Sequence, residues 1–279
     1  RIAQKNPGIP MRQDKPVPDV LFEDRYEFVV GNLQVQLIAA TGETIDSMIV
    51  FLPQSQTALI SNLLGPLFPH FPNLNTLRGD RYRFVEPYLA TVKKLRALQP
   101  QMIIPGRHLP IEGTELIDAC LGRLHGAVEY VHRKTLEGMN AGVDIYTLMS
   151  EINLPAELRV GQGYGKVAWG VRTIWETYMG WFHLQSSTEL YAVAPVEAMS
   201  ELVQVAGVEA ACERAMTLAA SGQPVMAIYI AEAILRDEPD HVGAAKVMVL
   251  AHEALLAQGG DVSFWESGWL RSQAAKWRQ

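Results

Sequence analysis

The sequence is short of cysteine, of positive charge and of long apolar runs, and each shortage closes off a class of function. Only Cys120 and Cys212 occur among 279 residues. Both lie in helical patterns with apolar neighbours, so buried free thiols are expected rather than a disulfide. That leaves the compartment open: cytoplasmic, periplasmic or secreted. Acidic residues outnumber basic ones by 30 to 24, giving a net charge of −6. Such a balance argues against nucleic acid or an anionic membrane as the main partner. No apolar run approaches the roughly 18 residues needed to span a bilayer, so a soluble globular chain is expected. Its length suits two ordinary domains. The chain opens on Arg1, with no charged n-region followed by an apolar h-region, which leaves room upstream for a natural N-terminus and any signal peptide.

Within this acidic chain one stretch is densely basic. His70–Phe84 reads HFPNLNTLRGDRYRF and places Arg78, Arg81 and Arg83 close together. One reading is a solvated connector whose arginines pair with nearby carboxylates. The other is a binding loop for a small anion, because arginine presents a planar fork of donors to sulfate, phosphate or carboxylate.

The stretch also divides the chain by pattern. Before it, residues 1–18 read as a loop or arm rich in turn formers. Tyr26–Val30 and Leu33–Ala39 flank Gly31-Asn32 and predict a β-hairpin. Asp46–Leu52 and Thr57–Ser61 predict two further strands. After the loop, Glu86–Leu98 has helical spacing and Gln101–Pro105 reads as a short buried strand. The expected result is one α/β layer over residues 1–112, incomplete and with an uncovered face.

From residue 113 to 279 the pattern is helical. Glu115–Asn140 predicts a long amphipathic helix with Thr114 as its N-cap. Asp144–Ile152 predicts a helix capped by Asp144 and stopped before Pro155. Val167–Phe182 carries Trp169, Trp175, Tyr178 and Trp181, an aromatic set expected in a core or an interface. Three or four antiparallel helices follow over Pro195–Ala206, Val208–Ser221, Pro224–Arg236 and His241–Gln258. The small residues of 219–233, closed by Gly222 and Pro239, resemble a tetratricopeptide-type hairpin. Ser263–Arg278 predicts a last helix whose Trp265, Trp269 and Trp277 suggest docking onto another surface, such as a second subunit.

Chemistry-bearing residues gather at predicted strand ends, where a sheet holds loops in place. Glu43 sits in the turn Thr41-Gly42-Glu43-Thr44. Ser61-Asn62 ends one strand, and Arg107-His108 follows another.

Taken together, several motifs resemble those of a known family. Phe71-Pro72-Asn73-Leu74-Asn75-Thr76-Leu77-Arg78-Gly79 resembles the asparagine–leucine–tyrosine–threonine–leucine–arginine–glycine loop of alkyl sulfatases with a metallo-β-lactamase fold. Tyr130-Val131-His132, Thr135, Met139-Asn140-Ala141-Gly142, Leu154-Pro155, Tyr164-Gly165 and Gly180-Trp181-Phe182 resemble that family's helical dimerisation domain. The resemblance implies an α+β chain: the second half of a hydrolase domain, then a dimerising helical domain. It also implies cleavage of alkyl sulfate esters to an alcohol and sulfate, with two zinc ions whose bound hydroxide attacks.

Carried over residue by residue, the resemblance makes Arg78 and Thr76 a clamp on the sulfate, with Asn75 standing where the family has tyrosine. It makes Glu43 a metal ligand. The carboxylate that bridges the metals falls on Asn62. The last histidine ligand falls on Arg107, with His108 one place along as its substitute. No His-x-His-x-Asp-His run occurs here. Trp169 and Trp181 stand where some members carry polar active-site side chains.

Two functional expectations result. One is part of a zinc alkyl sulfatase, not active alone, whose missing half lies on another segment or chain. The other is a degenerate, non-catalytic homologue that dimerises or binds anions or lipids. Either is expected to form a homodimer through the helical domain.

Overall fold

A computed structural model of the chain describes residues 17–75 and 83–278. A six-stranded sheet runs in sequence order: β1 Arg25–Val30, β2 Leu33–Ala39, β3 Met48–Leu52, β4 Thr57–Ser61, β5 Met102–Pro105 and β6 Ile111–Glu112. The β1–β2 hairpin closes on Val30 opposite Leu33. Gly31 holds φ +63° as the first residue of that turn, a conformation that costs a glycine little. Only β4 and β5 pair in parallel. The crossover between them carries α1, Val85–Ala97. β6 is two residues long and absent from the hydrophobic pattern; it exists because Met102 and Ile103 pair with Glu112 and Ile111.

The register assigns side chains to faces, since residues directly opposite share one. Ile38, Ile49, Phe51, Ala58 and Ile103 lie on the same face and are all buried. They join the core formed with α1 and with α2, Thr114–Asn140, which supplies Ile117, Leu121, Leu124 and Val128. The other face carries Tyr26, Phe28, Leu37, Val50, Leu59 and Ile104. Tyr26 and Phe28 are exposed there and the other four are only half-buried. Val35, opposite Phe28 on this face, is buried, while these six keep solvent contact.

α2 begins at Thr114, which lies inside the helix rather than capping it. Gly113 is the cap, at φ +105°, and makes no side-chain bond. α3, Ile145–Glu151, is capped as expected, with the Asp144 carboxylate accepting from the Tyr146 and Thr147 amides. α4, Val167–Met179, stops earlier than its aromatic run, at Gly180. α2, α3 and α4 share the sheet's core through Val131, Ile145, Leu148, Val171, Ile174 and Trp175.

A second core lies between α5 Pro195–Ala206, α6 Val208–Ala220, α7 Pro224–Asp237 and α8 Val242–Leu255. Its buried alanines, including Ala215, Ala227, Ala231, Ala244 and Ala251, let these helices approach closely. After a π-helical turn at Leu256–Gly260, α9 runs over Phe264–Trp277 and packs on α8. Its start returns to the first core, with the Phe264 amide donating to the Gly163 carbonyl at 2.8 Å. Trp269 is exposed, while Trp265 and Trp277 are half-buried. Both cysteines are free thiols; Cys212 is buried and Cys120 half-buried. Among the described residues no helix is long and apolar enough to cross a membrane.

Candidate functional site

The loops after β2, β4 and β5 come together beside the segment 161–166, and they bring most of the singled-out side chains to one end of the sheet. The turn after β2 is seated first by its neighbours. A Cβ on Gly42 would lie 2.2 Å from the Leu63 carbonyl oxygen, so only glycine fits there. From α1, the Thr91 hydroxyl donates to the Thr41 carbonyl at 2.7 Å.

Glu43 is thereby carried inward. Its Oε1 accepts from Arg83 Nη2 at 3.2 Å and from the Tyr164 hydroxyl at 3.3 Å. The side chains of Arg83 and Glu43 are only 11% and 16% exposed. Arg83 uses its other nitrogens on main chain: Nε donates to the Glu43 carbonyl at 2.9 Å and Nη1 to the Asn73 carbonyl at 2.7 Å. One guanidinium thus clasps two loops by three charge-assisted hydrogen bonds. Arg83 is a structural ion-pair partner in the sense of the first reading of the basic stretch.

The turn after β4 starts with Ser61 in a left-handed conformation, φ +45°, unusual for a residue with a Cβ. Asn62 follows, and its Oδ1 lies against Gly106: a Cβ there would sit 3.0 Å away. The Gly106 amide donates to the Ser61 carbonyl at 2.9 Å. The structure therefore places Asn62 beside the Gly106-Arg107-His108 turn. His108 Nδ1 is 3.1 Å from the Leu109 carbonyl oxygen. A carbonyl can only accept, so Nδ1 carries a proton, which in the neutral imidazole makes Nε2 the ring nitrogen with the free lone pair. That Nε2 is buried with no hydrogen-bond partner among the described residues.

The polar stretch enters the same region. His70 Nδ1 accepts from the Gly163 amide at 3.1 Å, and the Phe71 amide donates to the Gly161 carbonyl at 2.8 Å. Burial, and then the nearby His108, hold the His70 pKa below its ordinary value. Asn73 is 2% exposed, yet both ends of its amide lack partners among the described residues, as does Asn75 Oδ1. Thr76, Arg78 and Arg81 lie outside the described residues. Tyr164 and His70 were given no role by the sequence; the glycines at 161, 163 and 165 were the available signal, because they let the two segments touch. Among the described residues no three His, Cys, Asp or Glu side chains gather where they could hold a metal ion.

Comparisons with known proteins place this arrangement. Residues 146–275 match the family described as alkyl sulfatase dimerisation. The linear primary-alkylsulfatase of Pseudomonas sp. (strain ATCC 19151) is 28% identical over 195 residues, covering 68% of this chain and 36% of that protein. The alkyl/aryl-sulfatase BDS1 of Saccharomyces cerevisiae (strain ATCC 204508 / S288c) is 21% identical over 263 residues, covering 91% of this chain and 40% of that protein. The chain thus spans about two fifths of the length of these relatives. In fold it is similar to the stereoselective inverting sec-alkylsulfatase Pisa1 from Pseudomonas sp., with a TM-score of 0.83 at 19% identity, over 94% of this chain and 42% of that one. A double mutant of the sec-alkyl sulfatase PisA1 gives a TM-score of 0.84 at 20% identity. The match to the dimerisation family supports self-association. The chain is α+β and similar in sequence and fold to alkylsulfatases, and its residues 146–275 match their dimerisation family.

Proposed function

We propose that this chain supplies the second half of a metallo-β-lactamase-like hydrolase domain, with the helical dimerisation region, in an alkyl-sulfatase-like homodimer. By itself it binds alkyl sulfates without hydrolysing them. The observation that carries this reading is the convergence of Glu43, Asn62, Arg107 and His108 at one sheet end, in a fold similar to alkylsulfatases over nearly the whole chain. The division at residues 112 and 113 marks where hydrolase layer passes to helices, although α2 shares the sheet's core.

The two zinc ions that the family uses do not fit the donors present. Asn62 offers a neutral amide where a bridging carboxylate is needed. Arg107 is a permanent cation and cannot ligate. Glu43 already accepts from Arg83 and Tyr164. His108 Nε2 alone keeps a lone pair suited to a metal. The open apolar face of the sheet supports the other part of the reading: Tyr26, Phe28, Leu37, Val50, Leu59 and Ile104 suit a second packed layer, from the rest of a longer protein or a companion chain. Anion recognition rests on the loop of Asn75, Thr76 and Arg78, whose arginine suits a sulfate clamp. Trp169 on α4 and the exposed Trp181 just beyond its end add apolar surface, which suits an alkyl tail.

Calorimetry with octyl sulfate, beside an assay for released sulfate, tests this function. Binding without turnover is expected. Arg78→Ala is expected to weaken binding by about 1.5–3 kcal/mol, the value of a hydrogen bond to a charged group. Turnover by the isolated chain, or an unchanged affinity in Arg78→Ala, would refute it. Light scattering at micromolar concentration should report a dimer.

A further inference from the structure

We infer that in this chain the Arg83 guanidinium takes the place of a metal ion as the charge partner of Glu43, so that the site is assembled without metal. The inference rests on the proposed function and deepens it. A ligating carboxylate needs its oxygens directed at a cation held by several other donors. Here the cation is covalently part of the chain. Arg83 Nη2 meets Glu43 Oε1, Nε meets the carbonyl of the same residue, and Nη1 reaches the Asn73 carbonyl. The guanidinium therefore fixes the Glu43 turn and the start of the anion loop together, the organising role that a metal would have between loops.

Tyr164 completes the arrangement from the helical region. Its hydroxyl donates to the same Oε1 that Arg83 contacts, and its ring lies 5.9 Å from that of Trp265 on α9. Lys166 and Glu266 form an ion pair across the same junction. The remaining positions follow the same charge logic. A metal pair carries several positive charges and needs carboxylates to balance them. At this sheet end Glu43 is balanced by Arg83, Asn62 is neutral and Arg107 adds a positive charge. The local sum favours an anion and disfavours a second cation. Being covalently part of the chain, this partner is not lost to chelation.

The test compares zinc binding and thermal unfolding in the full chain, with Glu43→Gln and Arg83→Lys as variants. Zinc is titrated against a competing chelating dye, so no activity is needed. The wild type is expected to hold less than one zinc per chain, and to unfold at the same temperature with or without chelator. Glu43→Gln should not change zinc uptake, while both variants should unfold at lower temperature. Arg83→Lys keeps the charge but loses the fork, so it separates geometry from charge. Two zinc ions bound tightly by the wild type, raising its unfolding temperature and lost in Glu43→Gln, would overturn the inference. Octyl sulfate binding in chelator is measured in parallel. Its absence would refute the proposed function, while the zinc comparison still decides the role of Arg83.

Discussion

Replacing Arg83 by methionine tests the clasp most directly, because the stem is kept and the guanidinium removed. The mutation deletes one ion pair and leaves the Glu43 carboxylate, only 16% exposed, with the Tyr164 hydroxyl as its remaining hydrogen-bond partner among the described residues. Removing one member of a buried pair costs about 3–5 kcal/mol, since the other charge stays desolvated. This pair keeps a little solvent contact, so the low end, about 3 kcal/mol, is expected. Glu43→Gln should cost less, about 1.5–3 kcal/mol, because Arg83 keeps both carbonyl acceptors. The double variant Glu43→Gln/Arg83→Met no longer buries an unpaired charge, and should fall short of the summed single effects by about 1–2 kcal/mol. Urea unfolding followed by tryptophan fluorescence would measure the cycle, with thermal midpoints expected to move about 2–4 °C per kcal/mol. An Arg83→Met change within about 0.5 kcal/mol of wild type, typical of surface substitutions, would refute the reasoning. So would a coupling energy of zero.

Gly165→Ala should lower stability by about 1–3 kcal/mol, because its Cβ would lie 2.2 Å from the Pro72 carbonyl oxygen and 2.6 Å from the Asn73 amide nitrogen, both backbone atoms. Gly268→Ala in α9 is the control: nothing lies within 4 Å of its Cβ, so helix propensity should stabilise it by up to about 1 kcal/mol. If both variants melt alike, the close approach of 165 to the anion loop does not matter. Acid should also loosen the site through His70. Its folded pKa is depressed, chiefly by burial and then by His108, so between that value and the ordinary one near 6.5 the unfolded chain binds more protons. Stability is then fully present above about pH 6.5 and falls as the pH drops through the folded value. Protonating Nδ1 would also break the bond from the Gly163 amide. Hydrogen exchange at Gly163 should accelerate on that descent, and His70→Gln should flatten the pH dependence of unfolding.

Local chemistry was legible in the sequence wherever neighbouring residues decide conformation. The Gly31-Asn32 turn joins the two predicted strands, and Asp144 caps the helix it was expected to cap. Gly207 and Pro224 punctuate the helices at the expected places, whereas α4 stops at Gly180 inside its expected run. The two-residue strand β6 was not legible, because two residues have no period and only pairing with β5 makes them a strand. Thr114 was misassigned as a cap for a related reason: Gly113 can adopt φ +105° and start the helix one residue earlier.

The site divides in the same way. Sequence alone marked Glu43, Asn62, Arg107 and His108 as a set at strand ends, and the basic stretch as a place for an anion. It could not pair Glu43 with Arg83, 40 residues away, or with Tyr164, 121 residues away. Those contacts depend on which loops the sheet order and the helical region bring together. Whether a carboxylate faces water, a metal or a guanidinium is decided by its neighbours in space. Tertiary packing gave Glu43 an arginine.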